Sequence, residues 1–141
     1  SRQYFFKPMT CKRSSIFQLP HHEDMTFALH YAAHRGHMAK LKRLVKEGWD
    51  VNQADSNGTT PAYIAADQGH TAALVLLIKA GCDVNQAAKN GLTPAHVAAG
   101  EGQMGTLEVL VKAGCNVNQA DKAGESPAFA AAEEGQTAAL E

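Results

Sequence analysis

The chain has 141 residues, with 13 Lys+Arg against 14 Asp+Glu and a formal net charge of -1. Its 45% hydrophobic content argues against a disordered chain, and no stretch approaches the ~18 uninterrupted apolar residues of a membrane span. The balanced charge shows no general nucleic-acid binder, and the length suits one domain or a row of small units.

Residues 1–24 form a non-repeating leader. It holds Tyr4, Phe5, Phe6, Ile16 and Phe17, and its four basic residues precede its first acid, Glu23. It reads as a linker whose aromatics fold back onto the units that follow; an organelle-targeting or partner-binding arm is the alternative. From residue 25 onward a strict period takes over. Thr60-Pro61-Ala62, Thr93-Pro94-Ala95 and Ser126-Pro127-Ala128 are separated by steps of 33, as are Gly36, Gly69, Gly102 and Gly135. The same step carries Gly48-Trp49-Asp50-Val51-Asn52-Gln53 onto Gly81-Cys82-Asp83-Val84-Asn85-Gln86 and Gly114-Cys115-Asn116-Val117-Asn118-Gln119. The units divide as 25–58, 59–91, 92–124 and a partial 125–141.

Each unit reads as turn, helix, turn, helix, loop. Thr60 is a good N-cap, and Pro61 suits the first turn, where a missing N–H costs nothing. The short helix runs through Ala65-Ala66 and stops near Gly69. A second helix, Thr71 to Ala80, puts Leu74, Leu77 and Ile78 on one face. An extended Asp83-Val84-Asn85 then leads to a tight turn at Asn90-Gly91. No unit can bury its apolar face alone, so stability must come from stacking. The fourth unit reaches only the start of its second helix at Glu141, which predicts further repeats or a capping segment beyond it.

The repeated segments Phe27-Ala28-Leu29-His30-Tyr31-Ala32-Ala33, Thr60-Pro61-Ala62-Tyr63-Ile64-Ala65-Ala66, Thr93-Pro94-Ala95-His96-Val97-Ala98-Ala99 and Ser126-Pro127-Ala128-Phe129-Ala130-Ala131-Ala132 resemble the ankyrin repeat. The resemblance implies an all-α solenoid of stacked helix-turn-helix units with short hairpin-like loops. It departs from the family at Phe27-Ala28, where Thr-Pro is usual, and at Trp49, where later units carry Cys82 and Cys115. The Trp49 departure fits a terminal unit.

Candidate chemistry is sparse. Gly100-Glu101-Gly102-Gln103-Met104-Gly105 matches G-x-G-x-x-G, yet it follows a predicted helix rather than a strand and includes the ordinary inter-helix glycine. His30 and His34 share helical spacing, but His30 sits where the family's histidine makes structural hydrogen bonds, and no acidic partner completes a zinc site. Cys82 and Cys115 are equivalent repeat positions, which points to packing rather than to a reactive thiol. The odd cysteine count, with Cys11, and the missing secretory h-region predict an intracellular setting, cytoplasmic or nuclear. No acid/base pair or phosphate loop stands out, so no enzyme, cofactor or metal is expected. Asn57-Gly58-Thr59 is formally a glycosylation sequon and reads more simply as a turn. Asn52, Asn85 and Asn118 each follow Val, with Leu44, Leu77 and Leu110 eight residues earlier; by family resemblance they look like substrates of the asparaginyl hydroxylase, or else they tie down the inter-repeat loops.

The resemblance also implies protein binding on a concave face made by turn tips and first helices. Carried over position by position, that face takes Thr26, His34 and Arg35 from the first unit and Ser56, Asn57, Thr59, Asp67 and Gln68 from the second. It takes Lys89, Asn90, Leu92, Gly100 and Glu101 from the third, then Lys122, Ala123, Glu125, Glu133 and Glu134 from the fourth. Residues 1–46 hold nine basic and two acidic residues, and 47–141 hold four and twelve. An acidic partner therefore suits the N-terminal end and a basic partner the C-terminal groove. The expected function is a protein-interaction scaffold or adaptor. A substrate-recruiting segment of a larger enzyme or pathogen effector, and a structural spacer in a longer array, remain open.

Overall fold

The computed structural model describes residues 22–133, with side chains for 27–132. Leader residues 1–21, residues 134–141, and the side chains of Thr26 and Glu133 lie outside that description. The described chain contains seven helices and no strand: α1 (His22–Arg35), α2 (Met38–Lys46), α3 (Pro61–Asp67), α4 (Thr71–Lys79), α5 (Pro94–Gly100), α6 (Met104–Lys112) and α7 (Pro127–Glu133). Each of the first three units pairs a first helix with a second as a helix-turn-helix hairpin. Successive first helices, α1, α3, α5 and α7, lie side by side, and α2, α4 and α6 form a second layer against them. The result is the all-α repeat solenoid.

Local chemistry sets the helix starts. The Thr60 and Thr93 hydroxyls accept from the backbone N–H of Tyr63 at 3.2 Å and of His96 at 3.4 Å. Each cap is extended, and proline follows at the first helical position. The first unit has neither device. Phe27 cannot cap, and Ala28 does not push its predecessor out of helical geometry as proline does. Consequently α1 runs back to His22, into the last three residues assigned to the leader.

Alanines make the first-helix layer close-packed. Ala32, Ala33, Ala65, Ala66, Ala98 and Ala99 are at most 1% exposed. Leu41, Leu44, Leu74, Leu77, Leu107 and Leu110 fill the space between the two layers. Truncating a buried leucine of this kind typically costs ~2–5 kcal/mol. Trp49 is half-buried against the same core at the first unit's edge. Along the repeat axis, Val51 and Val84 are 8% exposed, whereas Val117 is 37% exposed. Beside the first two, Asn52 and Asn85 bond to the next unit's loop; among the described residues no such bond is made beside Val117.

One local expectation is corrected. Asp83-Val84-Asn85 is a turn, not an extended segment: the Gln86 N–H donates to the Asp83 carbonyl at 3.3 Å, and the Asn85 N–H to Asp83 Oδ1 at 2.9 Å. A short acidic side chain bonding two residues ahead favours the turn over a strand.

Glycine is required where loop tips approach. Gly91 has φ +86, and a Cβ there would lie 2.7 Å from the Lys122 backbone nitrogen. Gly114 has φ +87 with nothing within 4 Å of its missing Cβ. Gly114→Ala should therefore cost about 1 kcal/mol for the left-handed backbone alone. Gly91→Ala should cost on the order of 2–3 kcal/mol, because a tip must also shift. Urea unfolding of both variants measures the difference; equal losses would show that tip contact contributes nothing.

Candidate functional site

The three loop tips are built by short polar side chains folding back on their own backbone. Asp55 Oδ1 accepts from the N–H groups of Asn57 and Thr59, both at 2.9 Å. Asp121 Oδ1 accepts from Ala123 at 2.8 Å and Glu125 at 2.9 Å. These bonds, that from Glu125 foremost, hold the Asp121 carboxyl below the usual carboxylate range. The tip at 88–92 carries Ala88 at the aspartate position, and Asn90 takes over, its Oδ1 accepting from the Leu92 N–H at 3.0 Å. Adjacent tips are then joined through backbone. The Lys89 N–H donates to the Asn57 carbonyl at 3.0 Å, and the Lys122 N–H to the Asn90 carbonyl at 3.5 Å. The tips thus form one rail running across three units.

On this rail Ser56, Asn57, Lys89, Asn90, Lys122 and Ala123 are exposed. At the ends of the first helices His34, Arg35, Gln68 and Glu101 are exposed, while Asp67 and Gly100 are half-buried. Thr59, Leu92 and Glu125 are half-buried and lend mainly backbone groups to the tips. Thr26 lies in α1 and Glu133 at the end of α7; Glu134 falls outside the described residues.

Behind the rail, histidines bridge units. His30 Nε2 bonds the Thr59 carbonyl at 2.5 Å, and His96 Nε2 the Glu125 carbonyl at 2.8 Å. His96 Nδ1 accepts from the Thr93 N–H at 3.1 Å, so Nε2 carries the ring proton and donates. His70 Nε2 bonds the His34 carbonyl at 3.0 Å, and its ring lies over Gly36. The His30 ring is thereby turned toward the next unit rather than toward His34.

The second unit breaks this pattern, and the sequence reading passed over the residue responsible. Tyr63 stands where His30 and His96 stand. It is half-buried, and with Asn57, Thr59, Ala88, Lys89 and Asn90 it lines a notch of about 310 Å³. The signal was legible as Tyr in place of His within Thr60-Pro61-Ala62-Tyr63. Phe129, at the equivalent position of the fourth unit, is 48% exposed.

The asparagine ladder joins the loops that follow the second helices. Asn52 Oδ1 accepts from the Asp83 N–H and Asn85 Oδ1 from the Asn116 N–H, each at 2.7 Å. Gln86 and Gln119 Nε2 donate to the Asn52 and Asn85 carbonyls, each at 3.3 Å. These contacts tie successive loops together. Asn118 is exposed, and its side chain has no such bond among the described residues.

The glycine-rich run 100–105 lies between α5 and α6, in helix-turn-helix surroundings. Among the described residues no group of three His, Cys, Asp or Glu side chains is placed to hold a metal ion. Cys82 and Cys115 are free thiols.

With this architecture in place, comparison with known families is decisive. Residues 10–88 and 73–141 match the family model for ankyrin repeats (3 copies). The chain belongs to the ankyrin-repeat family. No curated protein matches it. Ankyrin repeats are generally protein-interaction modules and are typically non-catalytic. In this ankyrin array, no helix among the described residues is long and apolar enough to cross a membrane.

Burial pushes the Cys82 thiol up to about 11, with the Asp83 charge adding to the effect; burial also raises Cys115. A raised thiol pKa keeps the sulfur protonated at neutral pH, and the thiolate is the reactive form. At pH 8 Cys82 should react with an alkylating reagent roughly a hundredfold slower than in the urea-unfolded chain. The rate should climb as the pH rises toward 11. Site-resolved mass spectrometry measures it, and equal rates in the folded and unfolded chains would refute the packing role.

Proposed function

We propose that this ankyrin array binds a protein partner stoichiometrically, without a cofactor, through its loop tips and the exposed ends of its first helices. One observation carries the reading. The tips are locked in register by backbone bonds from Lys89 to Asn57 and from Lys122 to Asn90, yet the side chains they display differ from unit to unit. Rigid spacing with variable chemistry is what recognition of an extended partner needs, because little ordering entropy is lost on binding. The scaffold or adaptor role follows from such binding.

The contact set is Ser56, Asn57, Asp67, Gln68, Lys89, Asn90, Glu101 and Lys122, with Thr59, Leu92 and Glu125 shaping the tips. His34, Arg35 and Thr26 extend it at one end, Glu133 and Glu134 at the other. The charge order favours a partner acidic over the first unit and basic toward Glu101, Glu133 and Glu134. On the outer face the cations are partly engaged: Lys40 lies 5.6 Å over the Tyr31 ring, and Arg43 is 3.9 Å from Glu47.

A displayed library of random 16-residue peptides, selected on the intact chain, tests the assignment. Selected peptides should lose binding about tenfold or more when Arg35, Lys89 and Glu101 are all charge-reversed, mainly through slower association. They should be unaffected by reversal of Lys42 and Lys112 on the second helices. Binders indifferent to the first set would exclude the tip face.

A second proposal concerns modification. Of the three candidate asparagines Asn52, Asn85 and Asn118, the first two have side chains engaged by the following unit. Incubation with an asparaginyl hydroxylase should add oxygen at one or more of the three. Tandem mass spectrometry locates the site, and absence of labelling at all three would refute the proposal.

A further inference from the structure

The geometry points to the notch between the tips at 55–59 and 88–92 as a receptor for one carboxylate side chain, Asp or Glu, of the protein partner. The inference rests on the tip-face reading above and deepens it. The notch exists because of a residue exchange. At the equivalent positions His30 and His96 span to the carbonyl of the next unit's tip, at Thr59 and Glu125. The matching acceptor for the second unit is the Leu92 carbonyl, and the Tyr63 side chain does not take it. Tyr63 also gives up the second bond that His96 makes, in which the ring accepts the Thr93 N–H. Its phenol lies instead in the notch, beside Asn57, Lys89 and Asn90.

The donors that line the notch decide its polarity. Asn90 Oδ1 accepts from the Leu92 N–H, and the Asn90 side chain on its own favours the charged phenol of Tyr63. Burial and the charge of Asp67 outweigh that effect and hold the phenol above its usual range, so its O–H donor is retained at neutral pH. Lys89 is exposed and makes no ion pair among the described residues. Tyr63 and Lys89 thus line one shallow space, and each carries a donor group. A carboxylate, which only accepts, satisfies both, and charge-assisted bonds of this kind are the stronger ones.

The test uses the intact chain and the same 16-residue peptide library, with Tyr63→His, Tyr63→Phe and Lys89→Met variants. Selected peptides should share one Asp or Glu whose replacement by Asn or Gln weakens binding about tenfold. Tyr63→Phe and Lys89→Met should each weaken the parent peptides similarly and leave the amide-substituted peptides unchanged. Tyr63→His should weaken the parent peptides and raise Tm by about 3 °C, since the ring regains its bond to the Leu92 carbonyl. A lower Tm for Tyr63→His would overturn the claim that the tyrosine displaces an inter-unit bond. Peptides that depend on Arg35 or Glu101 but tolerate Tyr63→Phe and Lys89→Met would overturn the carboxylate site and leave the tip face standing. A library yielding no peptide that depends on the tips would overturn the tip-face reading itself.

Discussion

Everything in this molecule depends on one constraint: a unit cannot satisfy its own polar groups or bury its own apolar face. A unit of this size encloses too little volume to form a core. The step of 33 solves this by handing each unit's needs to the next. His30 reaches the Thr59 carbonyl, Asn52 reaches the Asp83 N–H, and His70 reaches back to the His34 carbonyl. Alanine at Ala32, Ala65 and Ala98 lets the helices come close enough for those bonds to form. Small side chains therefore serve the polar network as much as the core.

The same constraint separates packing from recognition. Residues that bond across units are held to one identity by geometry, since only a side chain of the right reach and polarity meets the next backbone group. Residues at the tips have no such obligation, because Asp55, Asn90 and Asp121 close each tip locally. Variation accumulates there at little energetic cost. Tyr63 is the exception that crosses the boundary. It occupies a bridging position without bridging, and the bonds it forgoes are exchanged for an open notch. Proteins commonly give up stability at sites used for binding.

Much of the fold was legible from the residues. Thr-Pro starts, glycine stops and leucines at helical spacing located α3, α4, α5 and α6 to within a residue or two. Two local features, one misread and one unread, share a reason. The backward extension of α1 to His22 and the turn at Asp83 both depend on how a side chain or its absence biases the backbone, which a repeat pattern averages away. The candidate site was legible by register alone. Register separated the tips from the core, but it did not distinguish exposed Lys89 and Asn90 from half-buried Leu92, nor reveal that Tyr63 leaves the bridge.

By itself the sequence determined the period, the helix pairing, the alanine faces and the charge difference between the two ends, because each is carried by local spacing and composition. Only the tertiary structure decided which polar atoms meet across units, which asparagines tie successive loops together, and where a notch opens. Those outcomes depend on distances between residues about 30 positions apart. Stacking sets such distances, and within any single unit no residue encodes them.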